Sequence, residues 1–292
     1  MLHLIAGGVA HLALGLGDPP LSVVDAEVEY RFRPGEYRRF GNRVLINEQS
    51  MRSEPWPAAP PEAAEELRVL VLGDSVVNGG AQTDQAELAT ELLQDRLTDA
   101  LKRPVVVGNV SAGSWGPGNL LAWTRKYGWM GADVAAVVLS SHDVADNPTF
   151  EPIVGVDPSF PDEAPWLALE EAATRYLPRY LPNWVTGAPA ADSQAQAVAK
   201  PLDPAAVARG LADLRTLVEE GRAAGVEMIV VQHLERGELE DGPRPGHGAI
   251  AELLAGLGVE TVQLGPAMEA ALRAGRPVYR DNIHLTAAGQ AV

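Results

Sequence analysis

The sequence contains no cysteine and only three lysines, Lys102, Lys126 and Lys200. The absence of cysteine excludes disulfide bonds, thiolate catalysis and cysteine-ligated zinc or iron–sulfur centres. Acidic residues outnumber basic ones by 39 to 23, which gives a formal net charge of −16. An acidity of this size argues against nucleic acid or an anionic membrane surface as the main partner. The interior of the chain also lacks an apolar run of about 18 residues, so no internal membrane span is expected.

Residues 1–17 contain no Lys, Arg, Asp or Glu. They fit a hydrophobic helix that docks on the rest of the protein, or the remnant of an envelope anchor, although a basic leader region is missing. We therefore expect residues 1–24 to form a hydrophobic N-terminal segment. The second reading would anchor the protein to a membrane through this segment. It favours the cell envelope or secretion, with the cytoplasm as the alternative.

Residues 25–66 are expected to form a β-arm and a linker. Apolar and basic residues alternate between Asp25 and Asn47, with turns at Pro34-Gly35 and Gly41-Asn42. This pattern is typical of a hairpin or a three-stranded arm. Five arginines make the arm locally basic: Arg31, Arg33, Arg38, Arg39 and Arg43. They indicate either a solvated strand face or a patch that recruits an anionic polymer.

Residues 67–292 are expected to form the main domain. Apolar strands alternate with amphipathic helices from Arg68 onward, as in a parallel sheet that is covered by helices on both faces. Five strands are expected, at 68–72, 105–110, 134–139, 226–231 and 259–264. The region 146–203 contains nine prolines and interrupts this alternation. It is expected to be an insertion that caps an edge of the sheet.

Polar clusters follow the first three predicted strands. Ser75 follows the first strand in Gly73-Asp74-Ser75, a triplet that is weak on its own because turns use the same residue types. In a doubly wound sheet, the loops that carry Ser114 and His142 would flank Ser75 and could direct hydrogen-bond donors at an oxyanion. Asp281 and His284 are three residues apart, so the carboxylate could orient an imidazole that faces the serine.

Three pieces together resemble the SGNH or GDSL hydrolases, a flavodoxin-like class of serine esterases, lipases and carbohydrate O-deacetylases. They are Gly73-Asp74-Ser75, the loop 109–119, and Asp281-x-x-His284 followed by Leu-Thr-x-x-Gly. The resemblance implies a flavodoxin-like three-layer α/β/α sandwich with a central parallel five-stranded sheet. It also implies Ser75 as nucleophile and as one oxyanion donor through its backbone N–H, His284 as general base and acid, and Asp281 as its orienting group.

Two positions depart from the family pattern. Ser114 stands where the family has its oxyanion glycine, with Gly113 and Gly116 as the alternatives if the loop shifts. His142 stands where the family has asparagine. Because a neutral imidazole donates one hydrogen bond much as an amide does, we expect His142 to be an oxyanion donor.

The candidate substrate contacts lie in the same loops: Asp74, Trp115, Asn119 and Asp143. Hydrogen bonding within the turn is the alternative role for Asp74, and core packing is the alternative for Trp115. No cofactor and no metal ion are expected.

The predicted function is a serine esterase that removes a small acyl group, acetyl above all, from a carbohydrate. The substrate would be a small molecule or a polysaccharide. One alternative is an O-acyltransferase that uses the same residues, and another is an inactive binding module. A third is a metal-dependent phosphoesterase whose divalent cations would be held by Asp74, His142, Asp143, Asp281 and His284.

Overall fold

The computed structural model describes residues 2–57, 66–173 and 202–292. The strands, in chain order, are β1 (Ser22–Asp25), β2 (Glu29–Phe32), β3 (Gly35–Arg39), β4 (Asn42–Ile46), β5 (Leu67–Gly73), β6 (Val105–Ser111), β7 (Val134–Leu139), β8 (Glu227–Gln232) and β9 (Glu260–Gln263). The α-helices are Leu2–Leu14, Ser75–Asn78, Ala89–Leu101, Pro117–Tyr127, Ala168–Glu171, Pro204–Ala223, Glu238–Asp241, Pro245–Leu257, Gly265–Arg273 and Ala287–Gln290, and Gln85–Glu87 and Asp143–Ala145 are 3₁₀ turns.

A five-stranded sheet forms the centre of the main domain. Its strands lie in the order β6-β5-β7-β8-β9, and every neighbouring pair is parallel. This is the strand order of the flavodoxin-like doubly wound fold, so the predicted fold class is confirmed. Strand β5 lies between β6 and β7. Its carboxyl end is therefore the point where the strand order reverses, which is where such sheets bind ligands.

Helices cover both faces of this sheet. The helices Pro117–Tyr127, Pro204–Ala223 and Pro245–Leu257 pack on one face, in a core that includes the fully buried Leu70 and Leu72 of β5. The helix Ala89–Leu101 packs on the opposite face, against the valines of β5 and β6. Burial of one such leucine contributes about 1.5–3 kcal/mol relative to leaving it exposed. These two apolar cores hold the carboxyl edge of the sheet, and with it the candidate site, in a fixed place.

The N-terminal arm consists of two separate hairpins. Strand β1 pairs with β2 and β3 pairs with β4, both antiparallel. The predicted turn at Gly41-Asn42 closes the second hairpin, whereas Pro34-Gly35 connects the two hairpins instead of closing one. Strand β1 begins at Ser22, within the stretch that the sequence assigned to the hydrophobic N-terminal segment, because a strand of four residues gives little alternation to read.

The arginines of the arm bind groups within the protein. Arg31 Nε lies 2.9 Å from Asp25 Oδ2, Arg43 Nη1 lies 2.6 Å from Glu54 Oε1, and Arg33 donates to the carbonyl of Asp162. Arg39 forms a buried ion pair with Glu171. Acids thus lie against Arg31, Arg39 and Arg43, which favours the solvated strand face over a patch for an anionic polymer.

The helix Leu2–Leu14 contacts the helix Ala168–Glu171 of the proline-rich region. The backbone N–H of Gly17 donates to Glu171 Oε2 at 2.6 Å, just after the first helix. None of the described helices is long and apolar enough to cross a membrane. Within the predicted insertion 146–203, residues 174–201 lie outside the described residues.

Candidate active site

Ser75 begins a single helical turn immediately after the central strand. β5 ends at Gly73, where an added Cβ would lie 2.5 Å from Val77 Cγ2, so a larger residue does not fit. Asp74 caps the turn, since its Oδ1 accepts the N–H of Val76 at 2.8 Å. This short strand-to-helix connection places the Ser75 hydroxyl at the carboxyl edge of the sheet.

The structure brings Ser75, His284 and Asp281 together in a row. His284 Nε2 lies 2.9 Å from Ser75 Oγ, and His284 Nδ1 lies 2.8 Å from Asp281 Oδ2. Because the carboxylate can only accept, Nδ1 carries the proton and Nε2 is left to accept the hydroxyl proton of Ser75. This is the hydrogen-bond order of a Ser-His-Asp triad.

A tight turn near the end of the chain presents the acid and the imidazole. Tyr279 and Leu285 form an antiparallel bridge, and the N–H of Arg280 donates to the carbonyl of His284 at 3.0 Å. Gln290 then donates to the carbonyl of Val76 at 3.1 Å. The turn is thereby fastened to the short helix that carries Ser75.

Asp281 is held ionised by its own turn. Burial raises its pKa, but the hydrogen bonds from the backbone N–H groups of His284 (2.7 Å) and Ile283 (2.9 Å) and from the imidazole outweigh burial and lower the pKa below its ordinary value. The carboxylate therefore stays charged at neutral pH and can stabilise the imidazolium that forms when His284 takes a proton.

The loop after β6 uses its polar groups for its own structure. The N–H of Gly116 donates to Asn119 Oδ1 at 3.1 Å. A Cβ at Gly116 would lie 1.8 Å from the carbonyl oxygen of Asp146. The two backbone segments therefore come too close together for a side chain at this position. In this arrangement Gly116 does not offer its N–H to an oxyanion. Ser114 is exposed and has a φ of 56°, in the left-handed region.

Trp115 and Asn119 lie in the core and not at the cleft. Both side chains are about 1 % exposed. Trp115 Nε1 donates to the carbonyl of Tyr30 at 3.2 Å, and Asn119 Nδ2 donates to the carbonyl of Val28 at 2.9 Å. They fasten the arm to the loop after β6, so the structure does not bring them to the substrate side of Ser75.

Carboxylates surround His142 on both sides of its ring. Its Nε2 lies 3.2 Å from Asp143 Oδ1, and its Nδ1 lies 3.3 Å from Glu235 Oε1. Burial lowers the pKa of His142, but the charges of Asp143 and Glu235, together with those of Asp146 and Asp74, outweigh burial and raise the pKa to about 10. Both nitrogens face acids instead of an oxyanion, which departs from the role that the sequence predicted.

Asp143 is fully buried. Its Oδ2 accepts the N–H of Ser140 at 2.7 Å, and burial together with the charge of Asp74 raises its pKa well above the ordinary value. Asp143 therefore lies beneath the surface of the site and offers no exposed atom to a substrate.

Sequence reasoning missed Glu235 and Arg244. Glu235 follows β8, whose carboxyl end lies at the same edge as that of β5, and Arg244 Nη1 lies 2.6 Å from Glu235 Oε2. Asn282, in the turn that carries Asp281 and His284, donates to the same oxygen at 2.6 Å. The signal was present, since Gln232-His233-Leu234-Glu235 is a polar cluster after the fourth strand of the sheet.

The five residues that could have held cations for a phosphoesterase form two groups. Asp281 and His284 are joined to Ser75 in the triad. Asp74, His142 and Asp143 form the other group, in which one potential ligand atom from each residue lies within 4.8 Å of the others.

No protein-family model and no curated protein sequence matches the chain. Several solved structures are similar to it. The psychrotrophic esterase EstA from Pseudoalteromonas sp. is 14% identical, with 76% of this chain and 90% of that chain covered and a TM-score of 0.43. A member of the lipolytic G-D-S-L family from Veillonella parvula is 10% identical, with coverages of 77% and 92% and a TM-score of 0.43. The acetylxylan esterase Axe2 from Geobacillus stearothermophilus is 14% identical, with coverages of 80% and 91% and a TM-score of 0.45.

The fold class stands on the strand order of this chain, and the site stands on the contacts of Ser75, His284 and Asp281. The chain resembles the GDSL and SGNH hydrolases in its motifs, and the solved structures that are similar to it include two esterases and a member of the lipolytic G-D-S-L family.

Proposed function

We propose that the protein is a serine hydrolase that cleaves carboxylic esters through an acyl-enzyme on Ser75. One observation carries the proposal. The Ser75 hydroxyl lies 2.9 Å from Nε2 of the His284 imidazole, and Nδ1 of the same ring lies 2.8 Å from the ionised carboxylate of Asp281. A serine hydroxyl is unreactive at its own pKa and needs such a base.

The residues divide the reaction into two halves. In the first half, Ser75 Oγ attacks the ester carbonyl while its proton passes to His284 Nε2, which gives a tetrahedral oxyanion. The intermediate collapses, His284 returns the proton to the departing alcohol, and the acyl group stays on Ser75. In the second half, His284 takes a proton from water, the hydroxide attacks the acyl carbonyl, and Ser75 leaves with the proton as the carboxylic acid is released.

The proposed oxyanion donors are the backbone N–H groups of Ser75 and Ser114. Backbone amides that are already fixed in place stabilise the developing charge without reorganising during the reaction. His142 is left out of this set because carboxylates lie against both of its nitrogens.

We propose acetylated carbohydrate as the substrate class. The triad is open to solvent, since the side chains of His284 and Asp281 are 29% and 49% exposed, and an open site can accept a bulky alcohol. The net charge of −16 and the paired arginines of the arm favour an uncharged sugar over an anionic polymer. Axe2 is named as an acetylxylan esterase, and a further similar structure as an esterase active on acetylated mannans, so acetylated xylan and mannan fragments are the first substrates to test.

The test of the mechanism compares the wild type with Ser75→Ala. We expect wild type to hydrolyse p-nitrophenyl acetate and to be labelled by a fluorophosphonate probe, and Ser75→Ala to lose both properties. Ser159→Ala, which changes an exposed serine, is the control and should keep both. Labelling that persists in Ser75→Ala would show that another residue is the nucleophile, and a wild type with neither property would favour a binding module.

The substrate class is tested by release of acetate from acetylated xylan and mannan oligosaccharides, measured enzymatically. We expect acetate release that Ser75→Ala abolishes. Mass spectrometry of the sugars identifies the acceptor, since acetyl groups that appear on an added sugar would show transfer to a hydroxyl instead of hydrolysis. Activity confined to long-chain p-nitrophenyl esters would overturn the carbohydrate assignment and leave the serine mechanism intact.

A further inference from the structure

Beside the triad, Asp74, His142 and Asp143 form a compact group that the acyl-transfer steps do not use. The residues follow β5 and β7, which are neighbours in the sheet. One ligand atom from each lies within 4.8 Å of the other two. Both acids are buried, whereas the His142 side chain is 34% exposed, so the group is open on the imidazole side.

The strongest indication that this group binds a ligand comes from the oxygen Oδ1 of Asp143. It is buried and accepts no hydrogen bond. His142 Nε2 is only 3.2 Å away, but the pair does not have the geometry of a hydrogen bond. Two ligands of one tetrahedral zinc ion, each about 2.1 Å from the metal, lie roughly 3.4 Å apart. The two atoms are therefore spaced as ligands that share one ion, and a buried carboxylate oxygen without a donor is costly unless a charge compensates it.

Neighbouring groups hold each of the three side chains in position, and Asp74 is held by the N–H of Val76 at 2.8 Å. Glu235 Oε1 lies 3.3 Å from His142 Nδ1 and directs Nε2 toward the acids, while Arg244 fixes Glu235. The N–H of Ser140 holds the second oxygen of Asp143 at 2.7 Å. A carboxylate behind a metal-binding imidazole and hydrogen bonds behind metal-binding carboxylates are the usual support of a metal site.

We infer that Asp74, His142 and Asp143 bind a single divalent transition-metal ion such as Zn²⁺, which takes the place of the proton on His142 Nε2 and releases it to solvent. One imidazole and two carboxylates suit zinc or cobalt, whereas calcium and magnesium prefer oxygen ligands alone. Three protein ligands leave one coordination position for water. The site lies next to the nucleophile, since Asp74 Oδ2 is 3.4 Å from Ser75 Oγ, and it is independent of the proposed esterase mechanism.

The experiment is a titration of the metal-free protein with Co²⁺, followed by its visible d–d absorption, together with metal analysis after Zn²⁺ loading and dialysis. We expect one ion per chain. His142→Gln and Asp143→Asn remove ligands and should weaken Co²⁺ affinity by at least about 10-fold. Glu235→Gln removes only a supporting partner and should weaken it by about 10–100-fold, the usual cost of such a loss.

Two control variants locate the ion. His284→Ala removes the triad histidine, and His11→Gln removes an exposed histidine of the first helix that contacts the carbonyl of Leu16. Both variants should bind Co²⁺ as the wild type does. Asp74→Asn replaces Asp143→Asn if circular dichroism shows that the latter is unfolded. The inference is overturned if wild type binds no Co²⁺, which would leave a proton as the compensating charge, if the ligand variants bind normally, or if His284→Ala abolishes binding.

Discussion

At the scale of single residues, the two carboxylate oxygens of Asp281 have separate hydrogen-bonding roles. Oδ1 accepts two backbone N–H groups and fixes the carboxylate in its turn, while Oδ2 accepts Nδ1 of His284. The orientation of the imidazole therefore depends on one interaction between side chains. The two backbone hydrogen bonds to Oδ1 hold the carboxylate in place independently of substrate.

Asp281→Asn tests this division. The amide oxygen can still accept the two backbone N–H groups, but the amide nitrogen would then face His284 Nδ1. Nδ1 would have to accept, which places the ring proton on Nε2 and removes the base that Ser75 needs. We expect kcat for p-nitrophenyl acetate to fall by about 10³–10⁴-fold with little change in KM.

The control for Asp281→Asn is Asp241→Asn, which changes an exposed acid at the end of a surface helix. It should keep the activity of the wild type. A loss of less than 10-fold in Asp281→Asn would mean that another group orients His284.

At the scale of elements, Glu238 joins two short pieces of chain after β8. It accepts the N–H of Glu235 at 2.8 Å and that of Arg244 at 2.7 Å, and it lies 3.3 Å from His247 Nε2. Burial raises its pKa, but His247 and the two backbone groups outweigh burial and lower the pKa from 4.5 to about 2. Glu238 therefore fixes the start of the helix Pro245–Leu257 and, through Arg244, the surroundings of Glu235.

This lowered pKa predicts a pH-dependent stability. A carboxyl group whose folded pKa is depressed stabilises the fold above its unfolded pKa, near 4.5, and loses that contribution as the pH falls toward about 2. Glu238→Gln should lower the free energy of unfolding at pH 7, by at most ~3 kcal/mol. Urea unfolding at pH 7, 5 and 3 should show this difference shrinking below about pH 4.5.

Glu240→Gln, at an exposed neighbouring position, is the matched control and should unfold like the wild type at each pH. A difference between Glu238→Gln and wild type that is constant with pH would assign the loss to packing instead of charge.

Local sequence signals predicted some helix ends and not others. Asp203-Pro204 predicts a helix start, and Asp203 caps the helix Pro204–Ala223 as expected. Asp84 is likewise a residue type that favours a helix start, but it begins only the 3₁₀ turn Gln85–Glu87, and the helix begins at Ala89. One oxygen of Asp84 accepts the N–H of Arg43 from the arm, and a local reading cannot include a partner that is 41 residues away.

The same limit applies to the site. Ser75, Asp281 and His284 could be predicted because each follows a recognisable element and the acid and imidazole are close in sequence. Trp115 and Asn119 stand in a stretch rich in small residues, a pattern typical of a site loop, but Asn119 belongs to the helix Pro117–Tyr127 and the arm covers both side chains. The arrangement of His142 depends on Glu235, which is 93 residues away in the sequence and is brought close only by the sheet.

At the scale of the whole molecule, one buried ion pair joins three separate segments. Arg39 in β3 pairs with Glu171 of the proline-rich region, and both side chains are 3% exposed or less. Arg39 also donates to the carbonyl of Gly15, and Gly17 donates to Glu171. The N-terminal helix, the arm and the insertion are therefore connected through this pair.

Glu171→Gln removes the carboxylate charge from this buried pair, so we expect the free energy of unfolding to fall by about 3–5 kcal/mol in urea denaturation. The double variant Arg39→Met/Glu171→Met removes both charges and should recover much of the lost free energy of unfolding.

The control is Glu269→Gln, which breaks the exposed ion pair with Arg273 and should lower the free energy of unfolding by at most ~0.5 kcal/mol. A double variant as unstable as Glu171→Gln would show that the hydrogen bonds to Gly15 and Gly17, and not the buried charge, hold the three segments together.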